Sequence, residues 1–156
     1  MDKQEFLNEV LTSRREWEAA LASLTPEGFI APQGRYAGWS IKDIIAHITW
    51  HEKEMIGMME RHSLEGSELW NLPTDERNGI IYEENRWRTL EDVLAEAVSV
   101  YARLLECIEQ LSDEDLNDNR RYAGFVEALP DVPPWDLFAG NTYGHYTEHL
   151  NDLLSS

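Results

Sequence analysis

Cysteine, positive charge and long apolar runs are all scarce in this sequence, and each scarcity narrows what the protein can be. Cys107 is the one cysteine, so the chain can form no internal disulfide, which fits a reducing cytoplasm. No apolar run approaches the roughly 20 residues of a membrane span. The N-terminus carries no basic segment followed by an apolar one, so it does not resemble a signal peptide. We therefore expect a cytoplasmic protein without a membrane partner.

Basic residues are far fewer than acidic residues in this sequence. Thirteen Lys and Arg residues stand against thirty Asp and Glu residues, giving a formal net charge of −17. Such a surface repels phosphate backbones, so the charge predicts no nucleic-acid partner and favours a small-molecule ligand or substrate. The length of 156 residues favours one domain over 1–156. The amphipathic stripes do not identify a spare apolar helix face for self-association. The sequence therefore leaves open whether the protein is a monomer or a homodimer.

Four stretches repeat apolar residues at spacings of three and four, which is typical of helices that bury one stripe. They cover residues 3–24, 41–58 and 90–111 and a last stretch that begins at Pro133-Pro134. A short helix is also expected over 74–86. Ser40-Ile41-Lys42-Asp43 has the pattern of a helix N-cap.

The remaining stretches are rich in glycine, proline, Asp and Asn, and predict loops. One covers residues 28–39; another covers 112–133, with a helical turn at 112–116, and is long enough to border a pocket. Because no stretch alternates as a strand does, the sequence predicts an all-α four-helix bundle with a short extra helix between helices 2 and 3.

The histidines occur in two pairs with the same spacing. His47 and His51 are four residues apart in the second predicted helix, and His145 and His149 are four residues apart in the last. This spacing places both imidazoles of a pair on one helix face. A single pair is more often a surface feature or a hydrogen-bonded core element, but two pairs on facing helices are how bundles build metal sites.

The segment from Gly38 to His47, followed about a hundred residues later by His145 and His149, resembles the DinB/YfiT-like superfamily of metal-binding four-helix bundles. Three further segments are similar to its ClbS/DfsB branch: Trp70-Asn71, the run from Asn141 to Tyr146, and the acidic turn from Leu111 to Leu116. The resemblance extends over nearly the whole chain.

The resemblance implies that His47, His145 and His149 surround a divalent ion, zinc or nickel. Three imidazoles leave a coordination position open for water or substrate, as catalytic zinc sites do. The implied activity is small-molecule detoxification or resistance, by a hydrolase or thiol transferase that acts on an electrophile. Members of the ClbS/DfsB branch can lack the metal histidines, so a metal-free ring-opening hydrolase is the alternative.

The resemblance does not assign His51 as a ligand. One turn beyond His47, it is a fourth ligand, a proton shuttle, a hydrogen-bond donor to a ligand, or a polar residue of the pocket. Trp50, Asn141 and Tyr146 are further pocket candidates, although aromatic residues in a small bundle more often pack in the core. Two other hypotheses stay open: a protein that sequesters a small molecule without turnover, and a bundle whose histidines form a polar core.

Overall fold

A computed structural model of the chain describes residues 1–33 and 38–154. The predicted loop over 28–39 includes Gly34, which lies outside the described residues. Within these described ranges, short 3-10 turns lie at Glu68–Asn71 and Asn119–Arg121. The α-helices, in chain order, are α1 (Lys3–Leu21), α2 (Pro26–Ile30), α3 (Ile41–Arg61), α4 (Thr74–Asn85), α5 (Leu90–Gln110), α6 (Asp113–Asn117), α7 (Phe125–Ala128), α8 (Pro134–Gly140) and α9 (Tyr143–Leu154).

The bundle is built from α1, α3, α5 and the α8–α9 segment. Helix α3 packs most extensively against α5, and α1 packs against α9. Helix α3 is central because most of its side chains are buried, including Ile41, Ile44, Ile48 and Met55. Over the described residues no β-strand is formed. The all-α four-helix bundle is thereby confirmed, and α4 is the short extra helix expected between helices 2 and 3.

The N-cap of α3 is confirmed. The Ser40 hydroxyl accepts a hydrogen bond from the Asp43 backbone N–H at 3.1 Å. In return, the Asp43 carboxylate accepts one from the Ser40 backbone N–H at 2.9 Å. These two bonds satisfy backbone donors that the first helical turn leaves unpaired. They also fix the start of the helix that carries His47 and His51.

Two predicted boundaries were wrong. Helix α1 ends at Leu21 rather than near 24, because Thr25 and Pro26 start a separate short helix, with the Thr25 hydroxyl accepting from the Gly28 N–H at 3.2 Å. The stretch 112–133 is not one long loop, because α6, a 3-10 turn and α7 lie within it. Its last part is held by the Asn119 amide, whose Nδ2 donates to three main-chain carbonyls, those of Leu129, Pro130 and Val132.

The last predicted helix is interrupted at Asn141 and Thr142. Both residues donate their backbone N–H three residues back, to Phe138 and Ala139 at 3.2 Å, and the Thr142 hydroxyl donates to the Phe138 carbonyl at 2.7 Å. Short polar side chains of this kind compete for the backbone and interrupt a helix. Gly144 permits the tight turn, because a Cβ there would lie 2.9 Å from the Ala139 carbonyl oxygen.

Candidate metal centre

Four imidazoles converge between α3 and α9. His47 and His51 come from α3, His145 and His149 come from α9, and each keeps no more than 7% of its surface exposed. Ring centroids lie 4.4 Å apart for His51 and His145, and 5.3 Å apart for His47 and His149. The two pairs expected from sequence therefore form one cluster.

Three ring nitrogens point at one another within this cluster. His145 Nε2 lies 3.2 Å from His47 Nε2 and 2.9 Å from His149 Nε2. In a tetrahedral zinc site, with zinc–nitrogen distances of about 2.0–2.1 Å, ligand nitrogens are about 3.3 Å apart. The distances between these nitrogens are thus close to the distance between two ligand nitrogens of one metal ion.

Hydrogen bonding alone does not satisfy the cluster. In a bond between His47 and His145, one Nε2 donates and the other accepts, so the accepting ring carries its proton on Nδ1. Both Nδ1 atoms are buried, and neither has a hydrogen-bond partner among the described residues. Every neutral arrangement therefore buries one unpaired N–H, at a cost of about 1–3 kcal/mol.

Burial keeps the imidazoles neutral. Removal from water lowers the pKa of His47 to about 2 and that of His51 and His149 to about 4. Burial also lowers the pKa of His145, and the neighbouring imidazoles lower it further. Neutral rings carry the lone pairs that metal ions bind, so the protonation state suits coordination at neutral pH.

The tautomer of His51 is fixed by Asn141. The Asn141 Nδ2 donates to the Leu137 carbonyl at 2.9 Å, so its Oδ1 is the atom that faces His51 Nδ1, also at 2.9 Å. Since an amide oxygen only accepts, His51 carries its proton on Nδ1. Its Nε2 is then a buried lone pair, with no partner among the described residues.

Two different sets of three histidines can hold an ion here. Ligand atoms of His47, His51 and His145 all lie within 4.8 Å of one another. The set expected from sequence contains His149 in place of His51, and His149 approaches His145 more closely than His47 does. Three buried histidines can therefore form a metal site, and the assignment to His47, His145 and His149 stays a prediction.

Aromatic rings surround the histidine cluster on the α3 side. Trp39 contacts His47 with ring centroids 5.7 Å apart, and Trp50 and Trp70 contact His51 at 4.9 and 5.6 Å. Each of these tryptophans is partly exposed, in contrast to the buried imidazoles that they contact. Trp70 also lines an adjoining, mainly apolar cavity of about 650 Å³ with Leu137.

Tyr146 is a core residue of the bundle. It is fully buried, and its hydroxyl donates to Glu52 Oε2 at 2.5 Å; the Arg14 guanidinium donates to the same oxygen at 2.8 Å. Sequence reasoning singled out Tyr146 as a pocket candidate but missed Glu52 and Arg14. A carboxylate at position 52, directly after His51 on a buried stripe, was the available signal, because a buried charge requires a partner.

The comparisons with known proteins agree on the fold. The family model of the DinB superfamily matches residues 9–152. An uncharacterised protein from Escherichia coli UTI89 superposes with a TM-score of 0.74 at 15% identity, covering 99% of this chain and 91% of that one. The colibactin self-resistance protein ClbS, solved in complex with a dsDNA, superposes with a TM-score of 0.76 at 15% identity, covering 99% and 94%. A comparison with curated protein sequences found no match.

The prediction that net charge excludes nucleic acid was wrong. A protein of the same fold, ClbS, is solved in complex with dsDNA. The charge argument fails physically because a formal charge of −17 sums the whole surface, whereas a duplex contacts one patch. Charges beyond about 8 Å from that patch are largely screened at physiological salt.

As for membranes, no helix in the described part of the chain is long and apolar enough to span one.

Proposed function

This chain belongs to the DinB superfamily, and from that premise we propose that it is a metal-dependent enzyme of small-molecule detoxification. We propose that His47, His145 and His149 hold one divalent ion, zinc or nickel. The observation that carries the proposal is the convergence of the His47 and His149 Nε2 atoms on the Nε2 of His145, at 3.2 and 2.9 Å. The proposed reaction is hydrolysis of an electrophile or transfer of a thiol to it.

A bound divalent ion would supply Lewis acidity and would acidify a water molecule or a thiol. His51 holds its Nδ1 proton on Asn141 and keeps a lone pair at Nε2. That lone pair accepts a hydrogen bond from the nucleophile and orients it, because an imidazole whose pKa is lowered to about 4 is a weak base. The partly exposed Trp39, Trp50 and Trp70 border the site and limit the entry of bulk water.

Two alternatives differ from this proposal in what they require of the histidines. A metal-free ring-opening hydrolase would use His51 and Asn141 without an ion. A sequestering protein would hold its ligand against the tryptophans without turnover. A polar core of histidines alone would leave one buried N–H unpaired, and metal coordination through Nε2 would leave two, the Nδ1–H groups of His47 and His145. Coordination of zinc, at about 10–16 kcal/mol in zinc-finger peptides, outweighs unpaired N–H groups of this kind.

Elemental analysis of protein purified without a polyhistidine tag tests the proposal. We expect about one ion per chain in the wild type, and loss of the ion with retained helix content in His145→Ala and His149→Ala. His62→Ala is the matched control, because His62 lies outside the cluster, on Asp115 at 3.2 Å. Stoichiometric metal in both cluster variants would refute the proposed ligand set. Metal-free wild type, with no thermal shift on adding zinc or nickel, would favour the alternatives.

A second candidate function is binding of double-stranded DNA, which the likeness to ClbS suggests. Trp87 is 82% exposed and lies between Arg86 and Arg88, while Lys42 Nζ holds this turn by donating to the carbonyls of both arginines at 2.8 and 2.6 Å. Both arginines are paired with glutamates, Arg86 with Glu83 and Arg88 with Glu96. Lys42 therefore holds this turn in place, but the paired arginines offer little net positive charge to a duplex.

Fluorescence anisotropy of a labelled duplex at two salt concentrations tests this candidate. Binding that weakens steeply with salt and is lost in Trp87→Ala would support it. Val98→Ala is the control, because Val98 is another exposed apolar residue, at 72%. Absence of binding at low salt would refute it.

A further inference from the structure

Arg77 of α4 lies beside the histidine cluster. Its guanidinium carbon is 4.8 Å from the centroid of the Trp70 ring, and that ring contacts His51 with centroids 5.6 Å apart. The positive charge of Arg77 is one of the causes that lower the pKa of His47 and His51. Helix α4 therefore places a permanent positive charge beside the neutral histidine rings.

The hydrogen-bond donors of Arg77 have few and distant acceptors. Its Nε is buried and has no hydrogen-bond partner among the described residues. Its Nη atoms reach only the Leu72 carbonyl at 3.4 Å and the Thr74 hydroxyl at 3.5 Å, the long limit for such bonds. In the described part of the chain no carboxylate forms an ion pair with it.

Among the described residues most arginines pair with a carboxylate, although Arg15 and Arg61, like Arg77, do not. Thirty acidic residues are available to thirteen basic ones, and most arginines of the structure use them. Arg14, Arg86, Arg88, Arg103, Arg120 and Arg121 all pair with a carboxylate at 3.1 Å or less. A guanidinium without a carboxylate partner would be repelled by a metal ion bound at the neighbouring histidines. An anion between the two positive charges would remove that repulsion.

The guanidinium is also held in place. It stacks on Trp70, whose indole Nε1 donates to Glu54 Oε1 at 2.7 Å. The same oxygen accepts the Ser67 backbone N–H at 2.7 Å, which fixes the 3-10 turn that carries Trp70. A planar guanidinium fixed in this way offers two parallel donors, the geometry that fits a carboxylate.

We propose that Arg77 is the anion-recognising residue of this site, and that the substrate is a small molecule that carries a carboxylate. The proposal rests on the proposed function, whose reacting group would lie at the histidine cluster. The carboxylate binds the Nη donors of Arg77, whose own contacts are long, and the remainder of the molecule lies along Trp70 towards His51. Arg77 thus determines specificity rather than coordinating metal.

Side-chain NMR of the metal-free protein tests this proposal without relying on activity. Benzoate is the probe, and benzamide is its uncharged match. We expect benzoate, but not benzamide, to shift the Arg77 Nε–H resonance, and Arg77→Gln to weaken benzoate binding about tenfold or more. Arg77→Lys keeps the charge but not the parallel donors, so it should restore only part of the affinity.

Arg86→Gln is the matched control. Arg86 also lies over aromatic rings, those of Tyr82 and Trp87, but it is paired with Glu83. Benzoate affinity should be unchanged in this variant. Equal affinity in wild type and Arg77→Gln, or no benzoate binding, would overturn the proposal. Binding of inorganic phosphate in place of benzoate would overturn the carboxylate assignment.

Zinc titration of the same variants separates this proposal from the proposed function. Arg77 is not a ligand, so Arg77→Gln should bind zinc at least as tightly as the wild type, because a nearby positive charge has been removed. If zinc binds and benzoate does not, only the anion proposal fails. If benzoate binds through Arg77 and zinc does not bind, the metal proposal fails and the anion site stands.

Discussion

At the scale of the residue, Asn141 decides which nitrogen of His51 is available. Its amide links the Leu137 carbonyl to the His51 ring, and so holds the His51 lone pair at Nε2. Asn141 therefore orients a histidine, and its role in a ligand pocket stays a prediction. The effect depends on an acceptor at this position rather than on the size of the side chain.

Asn141→Leu should disturb His51 without removing it. The variant leaves the His51 Nδ1–H buried without an acceptor, which destabilises the fold by about 1–3 kcal/mol and allows the proton to move to Nε2. Nitrogen-15 NMR of the imidazoles reports this change of tautomer. Asn141→Asp is the control, because a carboxylate also accepts from Nδ1 and should preserve the tautomer. An unchanged tautomer in Asn141→Leu would contradict this role.

At the scale of the element, Arg14, Glu52 and Tyr146 join α1, α3 and α9. Glu52 is fully buried and binds both partners through Oε2. Burial raises the pKa of Glu52, and the neighbouring Arg14 opposes this by stabilising the carboxylate. The network therefore connects the two helices that carry the histidines with the helix that packs on α9.

Glu52→Gln should destabilise the protein by about 3 kcal/mol, because loss of one partner leaves a buried charge uncompensated. Urea unfolding measures the change. Glu18→Gln is the control, since Glu18 also pairs with Arg14 at 3.0 Å but is 57% exposed, so its loss should cost less than about 1 kcal/mol. Equal effects of the two substitutions would show that the buried network does not stabilise the bundle.

Gly144→Ala tests the turn between α8 and α9. The new Cβ would lie 2.9 Å from the Ala139 carbonyl oxygen, a backbone atom that cannot move aside alone. We expect a loss of stability of about 1–3 kcal/mol and weaker metal binding, because His145 is the next residue. Gly79→Ala is the control, since no atom lies within 4 Å of a Cβ there. Unchanged zinc affinity in Gly144→Ala would show that the turn does not position His145.

Local signals predicted some elements, and tertiary contacts determined the others. The Ser40 cap, the α5 stripe and both histidine pairs could be identified from sequence, because each depends on residues within one or two helical turns. The interruption at Asn141 was missed, although its cause is local: the Asn141 and Thr142 side chains donate to carbonyls four residues back. The role of Glu52 could not be predicted, because its partners Arg14 and Tyr146 lie far along the chain. Arg77 was missed because its contact with Trp70 depends on how the segment between these two residues folds.

At the scale of the whole molecule, the buried histidines make the metal-free fold sensitive to acid. Their folded-state pKa values lie below the unfolded value of about 6.5, so above that pH both states are neutral at these rings. As the pH falls below it, the unfolded chain binds protons that the folded chain refuses, and stability is lost. The loss continues down to the pKa of about 4 of His51 and His149.

Chelator-treated protein should therefore lose stability steadily between pH 6.5 and pH 5. Each buried histidine contributes a slope of about 1.4 kcal/mol per pH unit, a large share of a total stability of about 5–15 kcal/mol. Urea unfolding at four pH values measures the slope, and a His47→Gln, His145→Gln double variant, which keeps two of the four histidines, should reduce it by about half. Because a bound ion competes with protons for the same lone pairs, zinc should shift the loss to lower pH. An equal slope in the wild type and the double variant would mean that other groups cause the acid sensitivity.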